Sequence, residues 1–252
     1  MKKILTYHKV GVNFDSSLCF VDSYRFKRDM ELFLSLKYNL NTVSDNCSSN
    51  DLSIIFDDGY ENVYKFKDYF IEKNIRTTIF IITDFIGKLD NWDVSLSGIK
   101  HRHLTKDMIK NLSLDRHEIG SHSCSHKDLT LLSSSALNHE LLKSREVLED
   151  IIGKKVKSIS VPFGRINSRV IDVAKEIGYE NIVYLGQNKK LPHSYRSKQV
   201  YLFDNETILK AKLGLNRWSS IEDFRLNAIN FFNRGTLLAV KLSKMMDYFK
   251  NN

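Results

Sequence analysis

Short apolar runs alternate along this chain with stretches whose apolar residues recur at helical spacing. Such alternation is typical of βα units, in which parallel strands are buried on both faces. About seven strands in one unit favour a closed barrel over an open sheet. The predicted strands are residues 3–8, 52–56, 76–82, 117–122, 157–162, 180–185 and 198–203, and the predicted helices are 23–37, 61–73, 104–113, 133–152, 168–177 and 205–213.

The length of 252 residues suits one large domain, and neither an internal repeat nor a linker divides it. We assign residues 1–215 to the barrel. In residues 216–252, apolar side chains from Phe224 to Phe249 recur at spacings of three, four or seven, with Arg225 and Lys241 off the apolar stripe. This predicts a C-terminal amphipathic helix, which either packs on the barrel or lies on a membrane or partner surface.

The formal net charge of +8 favours an anionic partner, such as an acidic lipid or a phosphorylated substrate. No nucleic-acid-binding motif accompanies this charge, so we expect no nucleic-acid partner. The N-terminus lacks a signal-peptide core, and three cysteines at irregular spacing suit reduced thiols. We therefore expect a cytoplasmic protein, at the inner face of the membrane if the C-terminal helix binds lipid.

Polar residues end or directly follow several of the apolar runs, where a barrel carries its chemistry. The run at 52–56 ends in Asp57 and Asp58, and His122 and His126 lie four residues apart. One carboxylate and two imidazoles supply three ligands to a divalent ion and leave room for water. The second carboxylate can then take a proton from that water.

Three ordered motifs, FDDG at 56–59, HSCSH at 122–126 and VPFG at 161–164, resemble the polysaccharide deacetylase family, the NodB homology domain of carbohydrate esterase family 4. The resemblance runs from Tyr7-His8 to about residue 200. It implies a distorted (β/α)₇ barrel and a metal-dependent hydrolase that acts on N-acetylated sugars.

By position, the resemblance implies that Asp57 is the general base and that Asp58, His122 and His126 bind one divalent ion. Zinc is the expected metal, with cobalt, nickel and manganese as alternatives. The backbone N–H of Phe163 would donate to the oxyanion.

The chain departs from the family pattern at two places. Ser160 stands where an arginine usually orients the base, and Arg165 and Arg196 are candidates to replace it. The late histidine that supplies the general acid matches His193 by letters only, in a stretch that makes a poor strand. A branch of the family begins with a strand ending in Tyr-His, and in a closed barrel the first strand lies beside the last. We therefore prefer His8 to His193 as the acid.

The remaining candidates carry weaker arguments. Tyr60 directly follows FDDG, and Pro162 and Gly164 belong to VPFG; all three are expected to line the substrate site. Trp92, in a long irregular segment at 84–103, either stacks on a sugar or pins that segment to the barrel. Cys124 is a buried filler or a thiolate ligand. His101 and His103 are expected to be solvated.

The sequence thus predicts a metal-dependent carbohydrate N-deacetylase. The substrate we expect is a nucleotide- or lipid-linked intermediate of surface polysaccharide biosynthesis, because a phosphorylated carrier suits the positive charge. Two alternatives stay open: a non-catalytic glycan-binding barrel, and a metal-dependent C–N hydrolase, such as a deformylase, that acts on a non-sugar amide.

Overall fold

The computed structural model describes residues 2–11, 17, 19–45, 48–90, 100–185 and 191–226. Its strands are β1 (Lys3–Tyr7), β2 (Lys9–Gly11), β3 (Phe20–Asp22), β4 (Asn39–Asn41), β5 (Asp51–Phe56), β6 (Thr78–Ile81), β7 (Glu118–Ser121), β8 (Ser158–Ser160), β9 (Asn181–Leu185) and β10 (Tyr195–Gln199). Its helices are α1 (Ser23–Ser35), α2 (Lys67–Glu72), α3 (Lys106–Leu114), α4 (Ser134–Ile152), α5 (Ser168–Ile177) and α6 (Glu206–Lys212).

Seven parallel strands close into a barrel in the order β1-β10-β9-β8-β7-β6-β5, and β1 pairs with β5 to complete the ring. The closure confirms the predicted (β/α)₇ barrel. It also places the first strand beside the last, with Leu5 opposite Lys198. Outside the ring, β4 pairs with the start of β5, while β2 and β3 form a separate two-stranded sheet.

The predicted elements agree with the structure where the apolar pattern is long. Each predicted helix is present within a few residues, although 61–73 divides into a 3₁₀ helix (Glu61–Phe66) and α2. The last strand was placed wrongly: β10 begins at Tyr195, three residues before the predicted start at 198. The three-residue strands β2, β3 and β4 were missed, since so short a segment shows no period.

Side chains on a strand alternate between two faces, so one row of each barrel strand points inward. The middle of the barrel interior is an apolar layer formed by Ile4, Ile55, Phe80 and Val183. Two residues beyond Ile4 and Ile55 on their inward rows come Thr6 and Asp57. The alternation therefore carries inward-facing positions from the apolar layer to the carboxyl ends of the strands.

The opposite end of the interior is polar. The Glu118 carboxylate accepts hydrogen bonds from the backbone N–H of Ser44 at 2.9 Å, from Thr78 Oγ1 at 2.8 Å and from Ser158 Oγ at 2.5 Å. Asn181 Nδ2 donates to Ser158 Oγ at 3.2 Å. These bonds satisfy a carboxylate at the amino ends of the strands, and the apolar layer separates it from the other end of the barrel.

The main core lies between the outer face of the barrel and the helices. At its centre the Phe26 ring of α1 packs against Tyr7, Phe56 and Phe66, with ring centroids 4.9–5.7 Å apart. Burial of each such side chain contributes about 1.5–3 kcal/mol. Because Tyr7 and Phe56 point outward into this core, the residues that follow them, His8 and Asp57, are turned toward the barrel interior.

Residues 219–226 are helical and follow the barrel. Buried ion pairs fix this segment: Lys212 Nζ lies 2.6 Å from Glu222 Oε1 and 3.3 Å from Asp204 Oδ2, and Arg225 also contacts Asp204 at 2.6 Å. The start of the C-terminal extension thus packs on the barrel domain. The rest of the predicted amphipathic helix lies outside the described residues.

Among the helices that the structure describes, none combines the length and the apolar character needed to cross a bilayer.

Candidate active site

A tight turn after β5 presents two consecutive carboxylates. Both Asp58 and Gly59 have φ of +69°, in the left-handed region that residues with a Cβ rarely adopt. A Cβ on Gly59 would lie 2.9 Å from Ile81 Cδ1, so this position also lacks space for a side chain. The strained Asp58 backbone, held at the strand end, is typical of functional sites.

The candidate metal centre consists of Asp58, His122 and His126. Nε2 of each imidazole lies 3.4 Å from Asp58 Oδ1. Their ligand atoms all fall within 4.8 Å of one another, and Asp58 and His122 are each 3% exposed. The structure therefore brings together the three residues that the resemblance implied as metal ligands.

Neighbouring groups orient the two imidazoles. His122 Nδ1 lies 2.7 Å from the Ser160 carbonyl oxygen, which can only accept, so Nδ1 carries the proton and Nε2 faces Asp58. The His126 ring packs 4.5 Å from the Phe163 ring and 5.0 Å from the His122 ring, between centroids. A backbone carbonyl that fixes the tautomer of a histidine is a usual support of metal ligands.

The donor set fits a divalent metal ion. One carboxylate oxygen and two imidazole nitrogens converge, and Asp58 Oδ1 is buried without a hydrogen bond to any described residue. Such a convergence of lone pairs is unfavourable unless a cation lies among them. Zinc takes this mixture of nitrogen and oxygen ligands, with a further position for water.

Burial and neighbouring charges shift the pKa values of all three candidate ligands. Burial raises the pKa of Asp58, but His122, His8 and His126 outweigh it and bring the pKa well below its usual range. Burial lowers the pKa of His122, but Asp57 and Asp58 outweigh it and the net shift is upward. Burial lowers the pKa of His126 to about 3, despite Asp58, so this ring is neutral and able to bind a metal.

Asp57 lies beside this centre, and no arginine among the described residues forms an ion pair with it. It is 1% exposed, and its Oδ1 makes no hydrogen bond with the described residues. Burial raises its pKa, while the charges of His122 and His8 and the Ser160 hydroxyl act in the opposite direction. A buried carboxylate with a raised pKa and a free oxygen suits a general base.

Both arginines considered as partners of Asp57 pair elsewhere. Arg165 lies 2.6 Å from Asp128, and Arg196 lies 3.4 Å from Asp223. Within the described chain, the groups that favour the ionised form of Asp57 are imidazoles and a hydroxyl. Among the described residues, neither candidate for the place of the motif arginine forms an ion pair with Asp57.

The register of the first barrel strand brings His8 to the same site. Tyr7 pairs with Phe56, so the following residues, His8 and Asp57, emerge side by side. His8 Nε2 lies 4.0 Å from Asp58 Oδ2, and its Nδ1 is buried without a hydrogen bond to the described residues. His193, the alternative, is exposed on a turn before β10 with φ of +60°. This placement agrees with the preference for His8; its role as the acid stays a prediction.

The VPFG motif forms a strained turn after β8. Phe163 has φ of +59° and is 40% exposed, whereas Pro162 and Gly164 are buried. A Cβ on Gly164 would lie 2.6 Å from the Leu185 carbonyl oxygen, so only glycine lets the turn pack on β9. The Phe163 ring packs 4.5 Å from the His126 ring, between centroids. The role of the Phe163 N–H as oxyanion donor and the substrate-contact roles of Pro162 and Gly164 stay predictions.

A buried histidine that the sequence did not reveal supports the metal centre. His103 was expected to be solvated, yet it is 1% exposed, and its Nδ1 donates to the Asp58 carbonyl at 2.9 Å. Its ring packs against Tyr60 and Phe85, with centroids 4.8 and 5.2 Å away. The only sequence signal was its place in the irregular segment. His101, expected to be solvated as well, is half-buried, 5.8 Å from the Tyr60 ring.

Two further candidates have clear positions. Tyr60 is 2% exposed, so its ring packs inside the protein, and its role toward substrate stays a prediction. Cys124 is buried, and burial raises the pKa of its thiol to about 11. Its Sγ–H donates to the Glu140 carbonyl at 3.5 Å, and Cys124 does not belong to the cluster of convergent ligand atoms, which fits the filler. Trp92 lies outside the described residues.

A closed parallel barrel whose strand ends gather an aspartate pair and three histidines defines a class: barrel proteins with a candidate metal centre for hydrolysis. The model of the polysaccharide deacetylase family matches residues 45–182, more than half of the chain. The chain belongs to this family.

Curated relatives agree with this assignment. The peptidoglycan-N-acetylmuramic acid deacetylase PdaA of Bacillus subtilis is 28% identical over 144 residues, which cover 55% of this chain and 48% of the relative. Chitin deacetylase 1 of Cryptococcus neoformans is 27% identical over 118 residues, which cover 46% of this chain and 22% of the relative. The chain spans less than half the length of the first curated relatives it matches.

A solved structure gives the same fold over a larger part of the chain. IcaB from Ammonifex degensii matches with a TM-score of 0.70 at 15% identity, covering 84% of this chain and 95% of that one. At this identity the likeness shows the fold alone.

Proposed function

We propose that this protein is a metal-dependent hydrolase that removes the N-acetyl group from an amino sugar. The observation that carries the proposal is the cluster of Asp58, His122 and His126 with Asp57 beside it, at the carboxyl ends of the barrel strands. Membership of the polysaccharide deacetylase family supports the same reaction. The deacetylase names of its relatives agree.

Asp58, His122 and His126 would hold the ion, most favourably zinc. When bound, the ion polarises the acetyl carbonyl and lowers the pKa of water. Ser160 and His103 keep its ligands in place, through the His122 ring and the Asp58 backbone respectively. Such supports typically change metal affinity or activity 10–100-fold when they are removed.

The protein's own residues account for the proton transfers. Asp57 takes a proton from the water that adds to the acetyl carbon. The Phe163 N–H donates to the oxygen that gains negative charge. Protonated His8 then donates to the sugar nitrogen as the C–N bond breaks, because an amide anion is a poor leaving group. The products are acetate and a free amino sugar.

For the substrate, we propose an N-acetylated sugar carried on a nucleotide or a lipid phosphate, as an intermediate of surface polysaccharide biosynthesis. The net charge of +8 supports an anionic carrier. The site of action we propose is the cytoplasm, at the inner face of the membrane. Contact with that membrane would involve the C-terminal extension, most of which lies outside the described residues.

The test is acetate release from a panel of N-acetylated sugars by metal-loaded protein. The panel contains nucleotide-linked and lipid-linked N-acetylhexosamines, chitin oligomers and peptidoglycan fragments, with the Asp57→Asn protein as the control. We expect release from a carrier-linked sugar by the wild type alone. Release from chitin or peptidoglycan only would support the deacetylase and overturn the carrier. If no member of the panel releases acetate, the proposed activity is contradicted.

A further inference from the structure

We propose that Glu140 of α4, which does not belong to the candidate metal centre, is the positioning residue that fixes His126 relative to His122. The inference rests on the proposed function, because it concerns the residues that would hold the metal. Glu140 is 5% exposed and points from the outer helix layer toward the segment between the two histidines. A carboxylate is costly to bury, so its hydrogen bonds there must compensate for lost hydration.

The Glu140 carboxylate accepts three hydrogen bonds from this segment. The backbone N–H groups of Cys124 and Ser125 both donate to Oε2 at 2.9 Å. The Ser125 hydroxyl donates to Oε1. The Cys124 thiol also donates to the Glu140 carbonyl at 3.5 Å. Both residues between Ser123 and His126 are thus bound to one side chain of α4.

The segment needs such a partner because its backbone is strained. Ser123 has φ of +63° and His126 has φ of +55°, and neither is glycine. Non-glycine residues in this region are strained and persist only when the surroundings impose the conformation. A change at Glu140 would therefore let His126 relax away from His122.

A second side chain of the same helix supports the other end of the segment. Ser144 lies one turn after Glu140, and its hydroxyl is 2.7 Å from that of Ser121. Ser121 Oγ in turn accepts from the backbone N–H of Ser123 at 3.1 Å. Because α4 spans Ser134–Ile152, with Ser133 and Gly153 as its caps, both contacts lie well inside a regular helix. The helix therefore acts as a rigid template for the spacing of the two imidazoles.

The charge of Glu140 matters as well as its shape. Hydrogen bonds to an ionised acceptor are roughly twice as strong as those between neutral groups. A glutamine has the same size but keeps a single carbonyl oxygen, and its amide group cannot accept from Ser125 Oγ. Glu140→Gln thus weakens the bonds to the segment without removing the volume that fills the space.

The experiment measures the binding of Co²⁺ to the full chain. The variants are Glu140→Gln and Glu140→Ala, and the matched control is Glu146→Gln, which removes the same charge from an exposed position of α4. The readouts are the Co²⁺ dissociation constant, the visible absorption of bound Co²⁺, and amide hydrogen exchange of the metal-free proteins. We expect Glu140→Gln to weaken Co²⁺ binding about 10- to 100-fold and to change the absorption band.

In the metal-free protein, the amides of Cys124 and Ser125 should exchange faster in Glu140→Gln, while those of β7 and α5 should not. Wild-type values for Glu140→Gln in every readout would overturn the inference and leave the proposed function intact. Faster exchange throughout the chain would also overturn it, because Glu140 would then be only a stability residue. If the wild type itself binds no Co²⁺, the proposed metal centre and this inference fail together. Should Glu140→Ala not fold, Glu140→Gln decides the question.

Discussion

His8 and Asp58 face each other across the candidate active site, with His8 Nε2 4.0 Å from Asp58 Oδ2. The other two imidazoles, of His122 and His126, approach the second carboxylate oxygen, Oδ1. His8 therefore stands beside the metal centre without sharing the oxygen to which the other two histidines converge. This position suits His8 as a proton donor beside the candidate metal site that is not itself a metal ligand.

We expect His8→Ala to lower kcat by about 10²- to 10⁴-fold, because the leaving nitrogen loses its proton donor. The metal content should stay near that of the wild type, as Asp58, His122 and His126 are unchanged. Steady-state kinetics and metal analysis of the purified proteins measure both. His193→Ala is the matched control, and a loss of kcat in that variant with normal turnover in His8→Ala would reverse the assignment.

Asp57→Asn should abolish turnover while the protein still binds one metal ion. An amide cannot take a proton from water, so the rate should fall by at least about 10²- to 10⁴-fold. Acetate release and metal content are measured on the same preparation. A wild-type kcat in this variant would remove Asp57 from the mechanism.

His122→Ala and His126→Ala should each fail to retain a divalent ion after dialysis, because two ligands rarely hold a metal tightly. His139→Ala, a change at an exposed position of α4, serves as the control and should bind metal normally. The measurement is metal content by elemental analysis. A full equivalent of metal in either ligand variant would show that the ion binds elsewhere.

Asp29 should make the folded state less stable as the pH rises. Its carboxylate accepts from the Tyr7 hydroxyl at 3.0 Å, and burial raises its pKa to about 6, partly opposed by Arg25. Because the folded pKa exceeds the unfolded value of 3.8, the native state binds more protons between these pH values. The free energy of unfolding should therefore fall by about 2 kcal/mol between about pH 4 and pH 7.

Asp29→Asn removes this titration and should be more stable than the wild type at pH 7.5 but similar at pH 4. Urea unfolding at both pH values measures the difference. Asp172→Asn, an exposed change on α5, is the control. Equal pH dependence in Asp29→Asn and the wild type would contradict the expectation.

The residue pattern alone was sufficient for the barrel and for the central cluster. Apolar runs ending in Asp57, Asp58 and His122 placed those groups at strand ends, and parallel strands bring their carboxyl ends to the same edge. The four-residue interval to His126 then indicated a metal pair. These inferences hold because strand periodicity and chain order are local properties of a sequence.

Other features depended on contacts between distant parts of the chain. No sequence pattern indicated that the His103 ring donates to the Asp58 carbonyl. The acidic partners of Arg165 and Arg196 could not be predicted from the sequence either. Glu140 is one of several acidic residues on a helix, and only the packing of α4 against the segment after β7 shows its contacts.

Periodicity and motifs lie along the chain, so they were enough to predict the order of the elements, the strand ends that carry the candidate chemistry and the family of the protein. The neighbours that hold the candidate site residues in place became visible only in the tertiary structure. Closure of the ring sets His8 beside Asp57 through the pairing of Tyr7 with Phe56. Hydrogen-bond partners separated by many residues are fixed by three-dimensional packing, to which no local pattern corresponds.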